Sequence, residues 1–265
     1  MLTLDGKRLS EFGLIPLQGH EHAMMPEIQR KTLNIPGRPG AWDFGVEIGE
    51  RPFNIPIATI EHDRIKKQRK LTSFVAFLLD PYGQPREMKL VFDYEPDKHY
   101  MVKVSQMINP NRLVHAADFI LPLVANDPYK YASANEYDPK TDVMYGEVGQ
   151  DDYYHNPQSF DWLYPKHYSA INNYSSYVTE FEAVIEGTVT NPKITNLVDN
   201  KTLTLPSISN GRLEIQPAEV IKNGTTILSG SNYNFFHVQP GEVGFLFEGD
   251  NPNANVTYRW KHKFM

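Results

Sequence analysis

The sequence contains no cysteine, and this absence excludes several kinds of chemistry. Without thiols the chain has neither disulfides nor a thiolate nucleophile, and zinc sites built on cysteine are ruled out. No run of 18 consecutive apolar residues occurs, so the sequence predicts no membrane-spanning helix. An excess of positive charge is missing too, because 26 basic residues stand against 32 acidic ones. This balance argues against general nucleic-acid binding.

What remains is the composition of an ordinary folded protein. Hydrophobic residues make up 40% and charged residues 22% of the 265 positions, which is too apolar for a disordered chain. A chain of this length is expected to form one large or two medium domains. Short runs of alternating apolar residues recur along it, separated by Gly, Asn and Pro, and they predict a mainly β protein.

One stretch, Asp63–Leu79, departs from the β pattern. It contains neither Gly nor Pro, and its apolar residues recur at helical spacing. These residues are Ile65, Leu71, Phe74, Val75, Leu78 and Leu79. Asp63 is suited to cap the helix N-terminus. The residues expected on the solvated side are Lys66, Lys67, Arg69 and Lys70. We expect the helix to cover the open face of a sheet rather than to bind a partner.

A stretch rich in proline and glycine, Ile35–Gly45, lies between two strand-like runs. Proline and glycine exclude a regular helix or a central strand there, so the sequence predicts a long hairpin with a stiff tip. The tip carries side chains that a solvent loop rarely needs, and we interpret it as a candidate contact between subunits. The candidate residues are Gly37, Arg38, Pro39, Gly40, Trp42, Asp43 and Phe44. The alternative is a loop whose Trp42 folds back on its own sheet.

The domain organisation is indicated by a polar, irregular stretch in the middle of the chain. Residues 133–158 are predicted to form a linker and the start of a second domain, between an N-terminal domain at 1–132 and a C-terminal domain at 159–265. The first domain is predicted to be a β-sandwich-like domain with one α-helix. Regularly spaced short strands predict a β-sandwich or jelly roll for the second.

Aromatic residues crowd the start of the second domain. Aromatic faces stack on sugar rings, and Tyr and Trp also favour protein interfaces. The candidates for such a partner or glycan surface are Tyr153, Tyr154, Trp162 and Tyr164. The alternative is that these residues pack the core and the linker.

Candidate catalytic chemistry is sparse, and we predict no catalytic, cofactor-binding or metal-binding residues. His20 and His22, together with His62, could suggest a metal site, but no fourth ligand is indicated. The paired acids Asp151 and Asp152 point to opposite faces of a strand, so they cannot flank one glycosidic bond.

Motifs in order along the first 130 residues resemble the distal tail proteins (Dit) of long-tailed phages and prophages. They are Gly6–Leu9, Phe12–Leu14, Ile35–Gly40, Trp42–Gly45, Glu50-Arg51, Leu79–Pro81, Leu90–Tyr100 and Asn126–Tyr129. The second half is similar more loosely to the galectin-like C-terminal domain of that family. Its motifs are Glu186–Thr188, Asn191–Ile194, Leu213–Ile215 and Pro240–Glu242. Pro39 departs from the family pattern, which often has a polar residue there.

The resemblance implies a structural protein and not an enzyme, with no cofactor. Family members form hexameric rings at the tip of the tail tube. The N-terminal domains form the ring and its channel, through which DNA passes without being read, and the galectin-like domains lie outside. The implied partners are further copies of this chain, the tail tube protein and the tail-associated lysin or tail fibre protein, with a receptor-binding protein as a further candidate. The implied location is the virion tail tip, after assembly in the host cytoplasm.

Two other functions stay open. A carbohydrate-binding baseplate or cell-surface glycan-binding protein would fit the aromatic residues of the second domain but leaves the first unexplained. A tube protein or another ring subunit of a tail would fit the first domain but leaves the second unexplained.

Overall fold

The computed structural model describes residues 2–132, 159–227, 229–259 and 262–265. The chain divides into two compact units, Met1–Lys130 with Met265 and Tyr131–Phe264. Both are mainly β, and the described residues contain one α-helix, so the predicted fold class is confirmed. The predicted linker at 133–158, which includes Tyr153 and Tyr154, lies outside the described residues.

The first half of the chain forms twelve strands and one helix. The strands are β1 (Leu2–Leu4), β2 (Lys7–Arg8), β3 (Ile15–Pro16), β4 (Glu21–His22), β5 (Ile28–Asn34), β6 (Ala41–Ile48), β7 (Arg51–Ile60), β8 (Met88–Phe92), β9 (Glu95–Val104), β10 (Asn111–Arg112), β11 (Ala116–Ala125) and β12 (Lys130–Ala132). A 3-10 turn covers Leu9–Phe12, and helix α1 covers Arg64–Leu78. The main sheet runs β2-β1-β8-β9-β11-β7-β3, whereas β5 and β6 form a separate two-stranded sheet.

Strands β7 and β11 form the longest ladder of this unit. They pair antiparallel from Arg51↔Ala125 to Ile60↔Ala116 without a register shift. Alternate residues of β7 are buried, as the period of two in a strand requires. Phe53 and Ile57 are fully buried in the apolar core, and Thr59 is buried with its hydroxyl donating to the Gly13 carbonyl oxygen at 3.0 Å.

Helix α1 confirms the prediction from the sequence. It begins after Asp63, whose Oδ1 accepts hydrogen bonds from the backbone N–H groups of Ile65 (2.8 Å) and Lys66 (3.3 Å). At its other end Arg86 donates to two backbone carbonyl oxygens, from its Nε to Phe77 (2.7 Å) and from its backbone N–H to Leu78 (3.1 Å). Arg86 therefore satisfies carbonyl groups that every helix C-terminus leaves without an intrahelical partner.

The faces of α1 differ in part from the prediction. Leu71, Phe74 and Leu78 are buried, but Ile65 and Val75 are exposed. Lys67 was expected in solvent and is only 6% exposed. Its Nζ donates to the carbonyl oxygens of Leu113 (2.6 Å), Val114 (3.2 Å) and Ala116 (3.2 Å). Because the Lys67 side chain is long, its ammonium group reaches these three carbonyl oxygens. The hydrogen bonds offset the cost of burying the charge.

The second half of the chain forms a β unit whose strands are β13 (Ser159–Trp162), β14 (Lys166–Asn173), β15 (Thr179–Glu180), β16 (Glu182–Asn196), β17 (Thr202–Thr204), β18 (Ile208–Gln216), β19 (Glu219–Lys222), β20 (Thr225–Thr226), β21 (His237–Val238), β22 (Gly241–Arg259) and β23 (Lys263–Phe264). Its main sheet runs β13-β22-β16-β18-β19-β20, with β14 added on β22 and β17 on β16. Strands β15 and β21 form a separate pair.

The two longest strands, β16 and β22, hold this unit together. Their register shifts between Thr188 and Lys193, where bulges interrupt the ladder and bend the pair. The first half of β22 pairs with β14 and its second half with β13. Phe245 and Tyr258, from opposite halves of β22, lie with ring centroids 5.7 Å apart in one apolar core. The bent pair therefore contributes to both sides of the core, as in a β-sandwich.

Candidate assembly surface

The hairpin predicted around Ile35–Gly45 is formed by β5 and β6. Its register pairs Ile28 with Ile48 at the root and Leu33 with Trp42 near the tip. Between these pairs one residue of β5, Lys31, stands opposite two of β6, Phe44 and Gly45. This bulge places Gly45 at φ +94°, a conformation that favours glycine.

The bulge distributes apolar side chains over both faces of the hairpin. Residues opposite each other on antiparallel strands share a face. Ile28 and Ile48 therefore lie on one face, and Leu33 and Trp42 lie on the other. Every residue of β5 and β6 is exposed, and among their large apolar residues the exposed fraction reaches 67% at Phe44. The exposed large apolar residues of this region are Ile28, Leu33, Ile35, Trp42, Phe44, Val46 and Ile48.

The tip is ordered by contacts among its own residues. The guanidinium carbon of Arg38 lies 4.3 Å from the centroid of the Trp42 ring, within the range of a cation–π contact. The turn is closed by the Arg38 N–H, which donates to the Ile35 carbonyl oxygen at 3.1 Å. Asp43 Oδ1 accepts the Gly45 N–H at 2.9 Å, and its Oδ2 lies 3.4 Å from Arg30. Trp42 stays 49% exposed.

The root of the hairpin is fixed by a buried arginine and by backbone hydrogen bonds. Arg51 is 1% exposed, and its guanidinium donates to the Tyr100 hydroxyl (2.6 Å) and to the Met24 carbonyl oxygen (3.3 Å). The Glu27 N–H donates to the Glu50 carbonyl oxygen (3.1 Å). The Glu27 carbonyl oxygen in turn accepts the Gly49 N–H (2.7 Å). The root of the β5–β6 hairpin is therefore fixed, while its two strands expose apolar side chains.

The aromatic residues expected to form a partner or glycan surface are not equivalent. Trp162 is fully buried in the core of the second unit, where its indole N–H donates to the Tyr164 carbonyl oxygen at 2.9 Å. It is a core residue and cannot stack on a ligand at the surface. Tyr164 is 70% exposed. Sequence spacing alone could not separate the two, because both lie near the end of the same short strand.

A groove of about 570 Å³ lies in the second unit, and its lining includes Pro165, the residue after Tyr164. It is lined by Lys166 and Glu248, joined by an ion pair of 2.9 Å, and by Asn191 and Asp250, joined by a hydrogen bond of 3.1 Å. No aromatic side chain is among its lining residues within the described part of the chain. The groove therefore offers hydrogen-bonding groups without a stacking platform.

The histidines considered as metal ligands lie in different surroundings. His20 and His22 stack with ring centroids 5.5 Å apart, and His22 stacks on Phe92 at 5.2 Å. Burial, followed by repulsion from His20, lowers the pKa of His22. Tyr94 continues the stack on Phe92, and burial raises the pKa of its hydroxyl to about 12.

His62 lies instead beside His115, with 3.1 Å between their Nδ1 atoms. Among the residues that the structure describes, no three His, Asp or Glu side chains gather in a group that could hold a metal ion. In the same part of the chain, no helix has the length and apolar character needed to cross a membrane.

Comparison with protein families decides the class of the first unit. Residues 7–125 match the model of the phage tail protein RIFT-related domain. The match spans 119 of the 265 residues and most of the first unit. The match includes the whole β5–β6 hairpin, helix α1 and strands β7–β11. It confirms the resemblance to phage tail proteins that the motifs of the first 130 residues indicated.

Comparison with solved structures extends the likeness beyond the phage tail domain. The chain is similar to the crystal structure of the SPP1 Dit (gp 19.1) protein, described as a paradigm of the hub adsorption apparatus in phages that infect Gram-positive bacteria. The TM-score is 0.72 at 13% identity, and the alignment covers 100% of this chain and 98% of that chain. At this identity the likeness establishes the fold, and the fold is that of Dit.

A second structure, the phage P2 baseplate in its activated conformation with Ca, gives a TM-score of 0.37 at 9% identity, over 97% of this chain and 92% of that chain. This similarity is too low to support an argument. Comparison with curated protein sequences gives no match.

Proposed function

We propose that the protein is a structural hub component of a phage tail tip or baseplate, and not an enzyme. A phage tail domain followed by a β unit, in the overall fold of Dit, supports this role. In this proposal six copies form a ring that joins the tail tube protein to the tail-associated lysin or tail fibre protein, with a receptor-binding protein as a further partner. The location is then the virion, after assembly in the host cytoplasm.

The observation that carries the proposal is the β5–β6 hairpin. Its apolar side chains are exposed on both faces of a two-stranded sheet, and an isolated two-stranded hairpin is marginally stable in water. An exposed apolar arm of this kind marks a protein interaction site. A neighbouring copy of the chain would cover the arm, and Gly37–Phe44 at the tip would enter the contact.

The charge pattern of the hairpin supports a defined contact over non-specific association. Arg30 pairs with Asp43 and Lys31 pairs with Glu47 across the two strands. Exposed pairs of this type stabilise a fold by about 0–1 kcal/mol, so they do not hold the hairpin by themselves. They protect the exposed strands against uncontrolled pairing, since charged side chains discourage edge-to-edge aggregation.

The test is the assembly state of the full chain. Native mass spectrometry and negative-stain imaging are expected to show rings of six copies. The double change Arg38→Ala and Trp42→Ala is expected to shift sedimentation towards the monomer, because truncating an Arg or Trp that acts as an interface hot spot costs about 2 kcal/mol or more. Tyr82→Ala is the matched control, because Tyr82 is an 89% exposed aromatic residue in the turn after α1.

Rings that persist unchanged in the double variant would contradict the assignment of the tip to the contact. A monomeric wild-type chain at all concentrations, combined with binding on a glycan array, would instead support the glycan-binding alternative. The burial of Trp162 weighs against that alternative, and no aromatic side chain lines the groove among the residues that the structure describes.

A further inference from the structure

The pair His62 and His115 lies apart from the hairpin and has no part in the proposed ring contact. Both side chains are exposed, and their Nδ1 atoms are 3.1 Å apart. The ring centroids are 4.6 Å apart, with an angle of 48° between the ring planes. A hydrogen bond between the two Nδ1 atoms has its donor set by the tautomer of each ring.

The backbone on both sides of this pair is fixed. The Glu61 N–H donates to the His115 carbonyl oxygen at 2.9 Å, next to the last pair of the β7–β11 ladder. Asp63, which follows His62, caps α1 through its side chain. Lys67 binds the carbonyl oxygens of the turn that carries His115. The backbone that carries the two imidazoles is therefore held by a β ladder, a helix cap and a buried lysine.

The spacing of the two nitrogens matches that of two ligands on one metal ion. At metal–nitrogen distances of about 2.0–2.1 Å, a separation of 3.1 Å corresponds to a nitrogen–metal–nitrogen angle of about 100°, close to tetrahedral or octahedral geometry. Imidazole nitrogens suit Zn²⁺, Ni²⁺ and Cu²⁺, whereas Mg²⁺ and Ca²⁺ prefer oxygen ligands. We propose that His62 and His115 form a chelating site for a divalent transition-metal ion.

The nearby acidic groups leave the rest of the coordination shell open. The Glu61 carboxylate accepts from Lys70 Nζ (3.0 Å) and from the Asp63 N–H (3.3 Å). The Asp63 carboxylate is used by the helix cap. The protein thus supplies two nitrogen ligands, and water or a chelator fills the other positions. A bound ion ties the β7–α1 corner to the turn before β11.

The probe is Cu²⁺ held by nitrilotriacetate, which leaves two neighbouring positions on the metal for two imidazoles. The experiment uses the full chain without a polyhistidine tag. Wild-type protein is expected to bind one equivalent in titration, with pulsed electron paramagnetic resonance showing two coordinated imidazoles. His62→Ala and His115→Ala are each expected to bind at least about tenfold more weakly, because the second ligand no longer acts within the same molecule.

His237→Ala is the control, since His237 is exposed on β21 in the second unit and its loss is expected to leave binding unchanged. Mg²⁺ and Ca²⁺ are expected not to compete. A wild-type spectrum with one coordinated imidazole, or equal affinity in all three variants, would overturn the site. A wild-type spectrum with one coordinated imidazole decides against the site even where an alanine variant does not fold.

Discussion

Replacing Leu78 by Ala tests whether α1 is part of the core of the first unit. Leu78 is 1% exposed and packs in the main apolar cluster of this unit. Removal of a fully buried leucine side chain destabilises by about 2–5 kcal/mol, through lost burial and the cavity that remains. The backbone carbonyl of Leu78 accepts a hydrogen bond from Arg86, and this contact does not depend on the side chain.

Val75→Ala is the matched control on the same helix. Val75 is 42% exposed, so little buried surface is lost, and alanine has the higher helix propensity by a few tenths of a kcal/mol. We therefore expect a change within about 0.5 kcal/mol of zero. The difference between the two changes in unfolding free energy separates the effect of burial from that of helix propensity.

The assay is urea unfolding followed by circular dichroism, combined with hydrogen exchange of peptides from α1. Peptide resolution is needed because two compact units need not unfold together. The measurement is repeated at several protein concentrations, since association of copies would add to the apparent stability. A loss well under about 1 kcal/mol for Leu78→Ala, similar to that of Val75→Ala, would refute the assignment of this face to the core.

Four further predictions concern other parts of the chain. Lys67→Met is expected to destabilise the first unit by about 1–3 kcal/mol, because three carbonyl oxygens lose their donor; urea unfolding measures the loss. Gly187→Ala is expected to cost more than about 2 kcal/mol, since a Cβ there would lie 2.3 Å from the Asn253 carbonyl oxygen and φ is +135°. Burial lowers the pKa of His262 to about 4, so the second unit is expected to lose about 3 kcal/mol of stability as the pH falls from 6.5 to 4, which melts at stepped pH would measure. A fragment of residues 150–265 is expected to fold alone, whereas a fragment of residues 1–132 is expected to associate or aggregate; NMR spectra and native mass check both.

Each of these predictions has a control or a contrary outcome. Lys66→Met, at an exposed position, should leave stability nearly unchanged. Gly241→Ala shares a positive φ but meets no atom within 4 Å, so an equal loss would show that contact with Asn253 is irrelevant. His262→Gln should flatten the pH dependence, and an unaltered slope would assign it to other groups. An undispersed spectrum of the 150–265 fragment, or a well-behaved monomer of 1–132, would contradict the last prediction.

Local patterns in the sequence predicted the secondary structure well where the signal is itself local. The helix follows from apolar spacing and from Asp63, and the first turn follows from Asp5-Gly6, where both residues have positive φ as a tight hairpin turn requires. The long hairpin was predicted from proline and glycine. Its bulge at Phe44-Gly45 was not, because a two-against-one register depends on the pairing of both strands.

The surroundings of individual side chains were harder to predict, since they depend on residues distant in sequence. Lys67 is buried because three carbonyl groups more than forty positions away meet its ammonium group. His62 meets His115 because the β7–β11 ladder ends beside both, and no local signal joins them. Trp162 lies in the core because β13 is paired with the far end of β22.

The length of β22 has a consequence for the order of events during synthesis. This strand, Gly241–Arg259, pairs with β13, β14 and β16, which are made earlier, so the second unit cannot close its core until β22 has been translated. Pairings between distant segments are slow to form, and domains made first generally fold first. We therefore expect most of the first unit to fold on the ribosome while the apolar strands of the second unit still lack β22, and this is the stage at which chaperones would be most needed.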